Sequence, residues 1–110
     1  MAGTDTAPGV YIMPGFSLHD ELVNFVEAGF TTMESLQTAT SGPAKFLGME
    51  SSYGSVESGK IADLVLLSAN PLDDIHNTQK IVAVMANGRF FDRVALDRIL
   101  SEVEAAAKRE

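Results

Sequence analysis

At 110 residues the chain has room for one modest core and falls far short of the roughly 250 residues that a closed (β/α)8 barrel takes. A composition 45% apolar and 21% charged belongs to a folded globular chain rather than a disordered one. The net charge of −7 repels phosphate backbones and anionic membranes, which argues against nucleic acid and lipid surfaces as partners; without cysteine, disulfides and thiolate metal sites are excluded. The first residues show no basic, apolar leader and no apolar run reaches membrane-spanning length, so the expected compartment is the cytoplasm.

Asp5 sits among small residues that suit the end of a strand, and Pro8 to Gly15, with two prolines and two glycines, reads as a loop. Ser17, followed by Asp20 and Glu21, opens a helix over about Leu18 to Ala28, because acids favour the positive end of the helix dipole. Leu18, Leu22, Phe25 and Val26 fall on one face, and Gly29 stops it. Thr31 with Glu34 three residues on forms a capping box for a second helix through about Thr40, with Met33 and Leu36 directed inward. Ser41-Gly-Pro43 restarts a short helix that packs Ala44, Phe46 and Leu47 and ends at Gly48.

From Tyr53 the pattern changes. Gly54 and Gly59 punctuate a turn, and the apolar run from Ile61 to Leu67 predicts a buried strand that Asn70-Pro71 breaks. Ile81, Val82, Val84 and Met85 predict a second strand, joined by the two-residue turn Asn87-Gly88 to Phe90 and Phe91. Asp92 caps a final amphipathic helix from about Val94 to Lys108, with Leu96, Ile99, Leu100, Val103 and Ala107 on one face. The expected fold class is α+β, in three parts: 1–50, 51–92 and 93–110. No segment repeats.

Six ordered blocks carry a resemblance. They are Gly3-Thr-Asp5-Thr; Pro14-Gly-Phe-Ser-Leu-His19-Asp-Glu21; Glu27-Ala-Gly-Phe-Thr31 with Ala39-Thr-Ser-Gly-Pro43; Gly54-Ser-Val-Glu-Ser-Gly59-Lys60-Ile-Ala62-Asp63; Asn70-Pro71-Leu-Asp-Asp74; and Asn87-Gly88-Arg89. Together they resemble the C-terminal end of amidohydrolase-superfamily enzymes of the imidazolonepropionase-like and Xaa-Pro dipeptidase-like type. The final helix lies outside that resemblance.

The resemblance implies a (β/α)8 barrel that binds zinc or another divalent metal, beside a small β-sandwich built from both chain ends. It makes 1–50 the last barrel strand and its helices, 51–92 the sandwich strands, and 93–110 an added helix. It makes Asp5 the catalytic and metal-binding carboxylate, which takes a proton from the attacking water, and places His19 near the mouth as a substrate contact. The family's other ligands precede the position of Asp5, so Asp5 binds metal only with ligands from a missing N-terminal portion. A catalytic zinc takes about three protein ligands, so none is expected on this chain alone.

Each candidate also has a plain reading. Asp5 can be a solvated acid, and His19, His76 and Asp5 can be assembled on paper into a two-histidine, one-carboxylate set, though their spacing matches no local ligand motif and both histidines read as surface or capping residues. Asp63 can pair with Lys60 or accept backbone N–H groups at its turn; Asp73 and Asp74 read as loop or cap residues. Two functions stay open. One is a fragment of a metal-dependent hydrolase of amide or peptide-like C–N bonds, inactive alone; the other is a non-catalytic small α+β module. Either leaves apolar faces and strand edges uncovered, so the expected partner is a second copy of the chain or a missing N-terminal barrel portion. The substrate is not legible.

Overall fold

The computed structural model describes residues 1–5 and 15–109. Three helices come first, α1 (Ser17–Glu27), α2 (Thr32–Gln37) and α3 (Ser41–Phe46). Strand β1 (Leu64–Leu67), a 3₁₀ turn (Ile75–Gln79), β2 (Ile81–Ala86), β3 (Arg89–Phe91) and helix α4 (Arg93–Lys108) follow. The expected α+β order is therefore present. The Pro8 to Gly15 loop assignment lies, except for Gly15, outside the described residues.

Local chemistry explains the helix starts. At α2, Thr31 Oγ1 accepts the Glu34 N–H at 3.1 Å while Glu34 Oε2 accepts the Thr31 N–H at 2.8 Å, the reciprocal box that spacing predicts. The helix stops at Gln37, short of Thr40. There the Thr38 and Thr40 hydroxyls donate to the carbonyls of Ser35 and Leu36, competing for acceptors of the last turn. In α1 the cap position belongs to Phe16, with φ −66° and ψ −37°, so Ser17 is already inside the helix. Asp92 caps α4 as expected, accepting the Ala95 N–H at 2.8 Å.

The sheet is antiparallel in the order β1-β2-β3, with Leu64 opposite Met85 and Val84 opposite Phe91. Asn87 (φ 50°) and Gly88 (φ 79°) both lie in the left-handed region, which a tight β2-β3 turn requires. That turn is buttoned to the entry of β1. Asp63 Oδ1 accepts the Asn87 N–H at 2.6 Å, and the Gly88 N–H reaches the Ala62 carbonyl at 3.0 Å. Of the two roles open to Asp63, the backbone contact is the one found. Lys60 turns instead to Glu57, at 2.8 Å, and to Ser55. Asp63→Ala removes a charge-assisted acceptor, and a loss of about 1 kcal/mol in urea unfolding is expected, with Asp63→Asn recovering part of it.

Two expectations about burial are overturned. The apolar run of β1 reads as a buried strand, yet Val65 is 57% and Leu66 60% exposed. Strand β1 is an edge of the sheet, paired only to β2 among the described residues. Likewise Phe46 (77%), Leu47 and Met33 stand open rather than packed. Among the described residues the buried apolar side chains are Leu22, Ala44, Ile75 and Ala83. The chain exposes 7984 Å² at a mass of 11.8 kDa, whereas a folded monomer of that mass exposes about 5,900 Å².

The helical and sheet halves meet through the 3₁₀ turn, which reads as plain loop in the sequence. It packs against α1 and buries Ile75, Asn77 and Thr78. Asn77 Nδ2 donates to the Asn70 carbonyl at 2.9 Å, and the Thr32 hydroxyl donates to the Leu72 carbonyl at 2.9 Å. Among the described residues no helix is long and apolar enough to cross a membrane.

Candidate functional site

Asp5 is exposed, and its backbone is left-handed, with φ 50°. The segment leading to it is tied down, because the Ala2 N–H donates to the Thr38 carbonyl at the end of α2 at 2.7 Å. Left-handed backbone costs an ordinary residue about 1 kcal/mol, less for Asp and Asn, and such conformations concentrate at functional sites. The carboxylate thus sits on a bent, anchored segment rather than on a free tail.

His19 does not occupy the exposed helix start that its sequence position suggests. It is half-buried, and its Nδ1 lies 2.9 Å from the hydroxyl of buried Thr78. The physical reason is tertiary. The 3₁₀ turn docks on α1 and brings Thr78 against it across 59 residues of sequence. His76 is on the surface, with Nδ1 2.7 Å from Asp74 Oδ1.

Asp74 caps the 3₁₀ turn, and its carboxyl is held below the usual carboxylate range, first by the N–H of His76 and then by the His76 ring. A depressed folded-state pKa means a stabilising contribution present at neutral pH and lost as pH falls through the folded-state value. Asp74→Asn is therefore expected to lower stability slightly at pH 7 and to flatten the acid limb of a pH series of urea unfolding curves.

The structure does not assemble Asp5, His19 and His76 into a metal site. Among the described residues no group of three or more His, Cys, Asp or Glu side chains is placed to hold an ion. The two histidines are engaged by Thr78 and Asp74 instead. A single carboxylate does not fit a catalytic metal ion, which takes about three protein ligands.

Sequence reasoning missed one feature. An apolar cleft of about 810 Å³ opens between α1, α3 and β1, lined by Leu18, Leu22, Leu36, Leu47, Ile61 and Leu67, with His19 and Thr78 on its wall. Its leucines read as core in the sequence because the pattern marks a face as apolar without saying what covers it. Asp5 is not among the lining residues, so the cleft is distinct from the candidate acid.

Comparison with known proteins bears on all of this. The Amidohydrolase family model matches residues 1–91, stopping short of α4. The imidazolonepropionase of Thermoplasma acidophilum is 52% identical over 42 residues, covering 38% of this chain and 10% of that protein. The 5'-deoxyadenosine deaminase of Methanobrevibacter smithii is 38% identical over 76 residues, 66% of this chain and 18% of its own. A crystal structure of a Xaa-Pro dipeptidase with bound methionine in the active site superposes with a TM-score of 0.64 at 38% identity, over 67% of this chain and 18% of that one. The chain thus spans less than a fifth of the curated relatives' length. Matched from its first residue to the end of β3, and similar in fold to a solved dipeptidase, this chain belongs to the amidohydrolase family.

Proposed function

We propose that the chain furnishes the C-terminal portion of a metal-dependent amidohydrolase that cleaves amide or peptide-like C–N bonds, with Asp5 as its catalytic carboxylate. Residues 1–50 then correspond to the end of a barrel, 51–92 to strands of the accompanying sandwich, and 93–110 to an added helix. The observation that carries this reading is the left-handed, anchored backbone of Asp5 inside the family-matched span. The dipeptidase and deaminase names among the relatives support C–N hydrolysis as the reaction class.

In this reading Asp5 is a general base and then a general acid. Its carboxylate takes a proton from the attacking water and returns it to the leaving amine, a role worth about 10²- to 10⁴-fold in rate. The metal supplies Lewis acidity in such enzymes, and its other ligands would have to be supplied from elsewhere, since no group of three His, Cys, Asp or Glu among the described residues is placed to hold an ion. His19 reaches a substrate only through the face its Thr78 contact leaves open.

The reading is tested by a chimera. The 18% of the Xaa-Pro dipeptidase that this chain matches is replaced by the corresponding residues of this chain. Retained dipeptide hydrolysis supports the assignment; a folded but inactive chimera counts against it.

A further inference from the structure

Of the four asparagines in the chain, Asn24, Asn70, Asn77 and Asn87, only Asn87 precedes a glycine. That order matters chemically, because the nitrogen of the following residue can attack the asparagine side-chain amide, and glycine leaves that nitrogen least shielded. Asn87 and Gly88 are both exposed, and a Cβ at Gly88 would meet nothing within 4 Å, so the turn stands open to water. The other three are poorly placed for the same attack. Asn70 is followed by Pro71, which has no N–H to give up. Asn24 lies inside α1, where the next N–H is committed to the helix ladder. Asn77 is buried with its Nδ2 donating to the Asn70 carbonyl, and the next nitrogen belongs to β-branched Thr78.

What holds Asn87 back is the pair of bonds that buttons the turn to the entry of β1. The Gly88 N–H, whose nitrogen would attack, donates to the Ala62 carbonyl at 3.0 Å, and the Asn87 N–H donates to Asp63 Oδ1 at 2.6 Å. Ring closure requires the Gly88 nitrogen to surrender its proton and to swing round until it faces the Asn87 side-chain carbon. Neither happens while that nitrogen donates to Ala62 and the two residues keep their left-handed φ of 50° and 79°. The reaction therefore waits for the turn to open, and Asp63 contributes the charge-assisted bond that keeps it shut.

We propose that Asn87 is a site of spontaneous deamidation whose rate is set by the bond from Asp63. When the turn unbuttons, the Gly88 nitrogen bonds to Asn87 Cγ, the Cγ–Nδ2 bond breaks, and ammonia leaves with the proton that Gly88 surrenders. Water then opens the five-membered imide at one of its two carbonyls, leaving aspartate or isoaspartate at position 87. Either product puts a new carboxylate beside Asp63, where like charges repel. Isoaspartate also lengthens the backbone of a two-residue turn that sets Ala86 opposite Arg89. The converted turn thus grips the entry of β1 less firmly than the asparagine does.

Peptide mapping by mass spectrometry tests this on the full chain held at mildly alkaline pH, with isoaspartate identified by enzymatic methylation. The native chain, Asp63→Ala, Asp63→Asn and the native chain in urea are compared, and circular dichroism checks that both variants are folded. Conversion is expected first at Asn87 in every folded sample and fastest in urea. Losing the Asp63 bond lets the turn open more often, so Asp63→Ala is expected to convert about fivefold faster than the native chain, the factor expected for one lost hydrogen bond. Asp63→Asn should fall between the two, and it carries the comparison alone if Asp63→Ala does not fold. A native chain that converts as fast folded as in urea overturns the proposal, since the buttoned turn would then protect nothing. So does a rate that is unchanged or slower in the folded Asp63 variants, and so does conversion led by Asn24 or Asn77.

Discussion

Asp5→Asn in the dipeptidase chimera is expected to lower kcat/KM by about 10²- to 10⁴-fold, the range for loss of a general acid–base group. Asparagine is the informative replacement. Like aspartate it tolerates left-handed backbone, so the φ of 50° at this position survives while the carboxylate is lost. The thermal midpoint should therefore stay close to that of the unsubstituted chimera. Asp5→Ala removes the same charge and adds the backbone cost of about 1 kcal/mol, so it should match the asparagine variant in activity and fall below it in stability. Steady-state kinetics with melting curves on the three proteins separates the roles. Equal activity in all three leaves Asp5 as a solvated turn residue.

The largest effect on stability is expected from Gly54→Ala. Gly54 has φ +92°, a conformation that L side chains rarely adopt, and it lies where the loop after α3 crosses back over that helix. A Cβ there would stand 2.7 Å from Ala44 Cβ and 3.1 Å from both Ser41 Cα and the Thr40 carbonyl oxygen. Two of those atoms are backbone and the third is a buried alanine, so nothing flexible can yield. Backbone strain of about 1–2 kcal/mol and overpacking of about 1–3 kcal/mol combine to roughly 3 kcal/mol. For a domain of this size that lowers the melting temperature by about 15 °C. Gly59→Ala is the control. Its φ of +91° carries the same strain, but a Cβ meets nothing within 4 Å, so it should cost about half as much. Equal losses at the two glycines would show that the contact with Ala44 does not matter.

What the sequence revealed divides by range. Thr31 with Glu34, Asn87-Gly88 and Asp92 each form their structure from neighbours within three or four residues, and each is found where the spacing puts it. Features set by distant partners were not legible. The 3₁₀ turn forms because Ile75 and Thr78 find α1, and nothing in Ile75-His-Asn-Thr-Gln79 has helical periodicity to announce that. His19 reads as exposed in the sequence because its bond to Thr78 spans 59 residues.

Burial failed for a related reason. An apolar run such as Leu64 to Leu67 records that a face is meant to be covered, not by what, and here Val65 and Leu66 stand open. No role for Asp5 is legible from the residue alone. An acid among Gly, Thr and Ala carries no chemistry by itself, and its left-handed backbone is visible only in three dimensions.

Equilibrium dialysis of the purified chain against zinc tests most directly whether a lone carboxylate on this chain works only beside ligands carried elsewhere. At zinc concentrations that saturate a catalytic site, far less than one ion is expected to be retained per chain, with Asp5→Asn making no difference. One tightly held ion per chain, lost on that substitution, would contradict it.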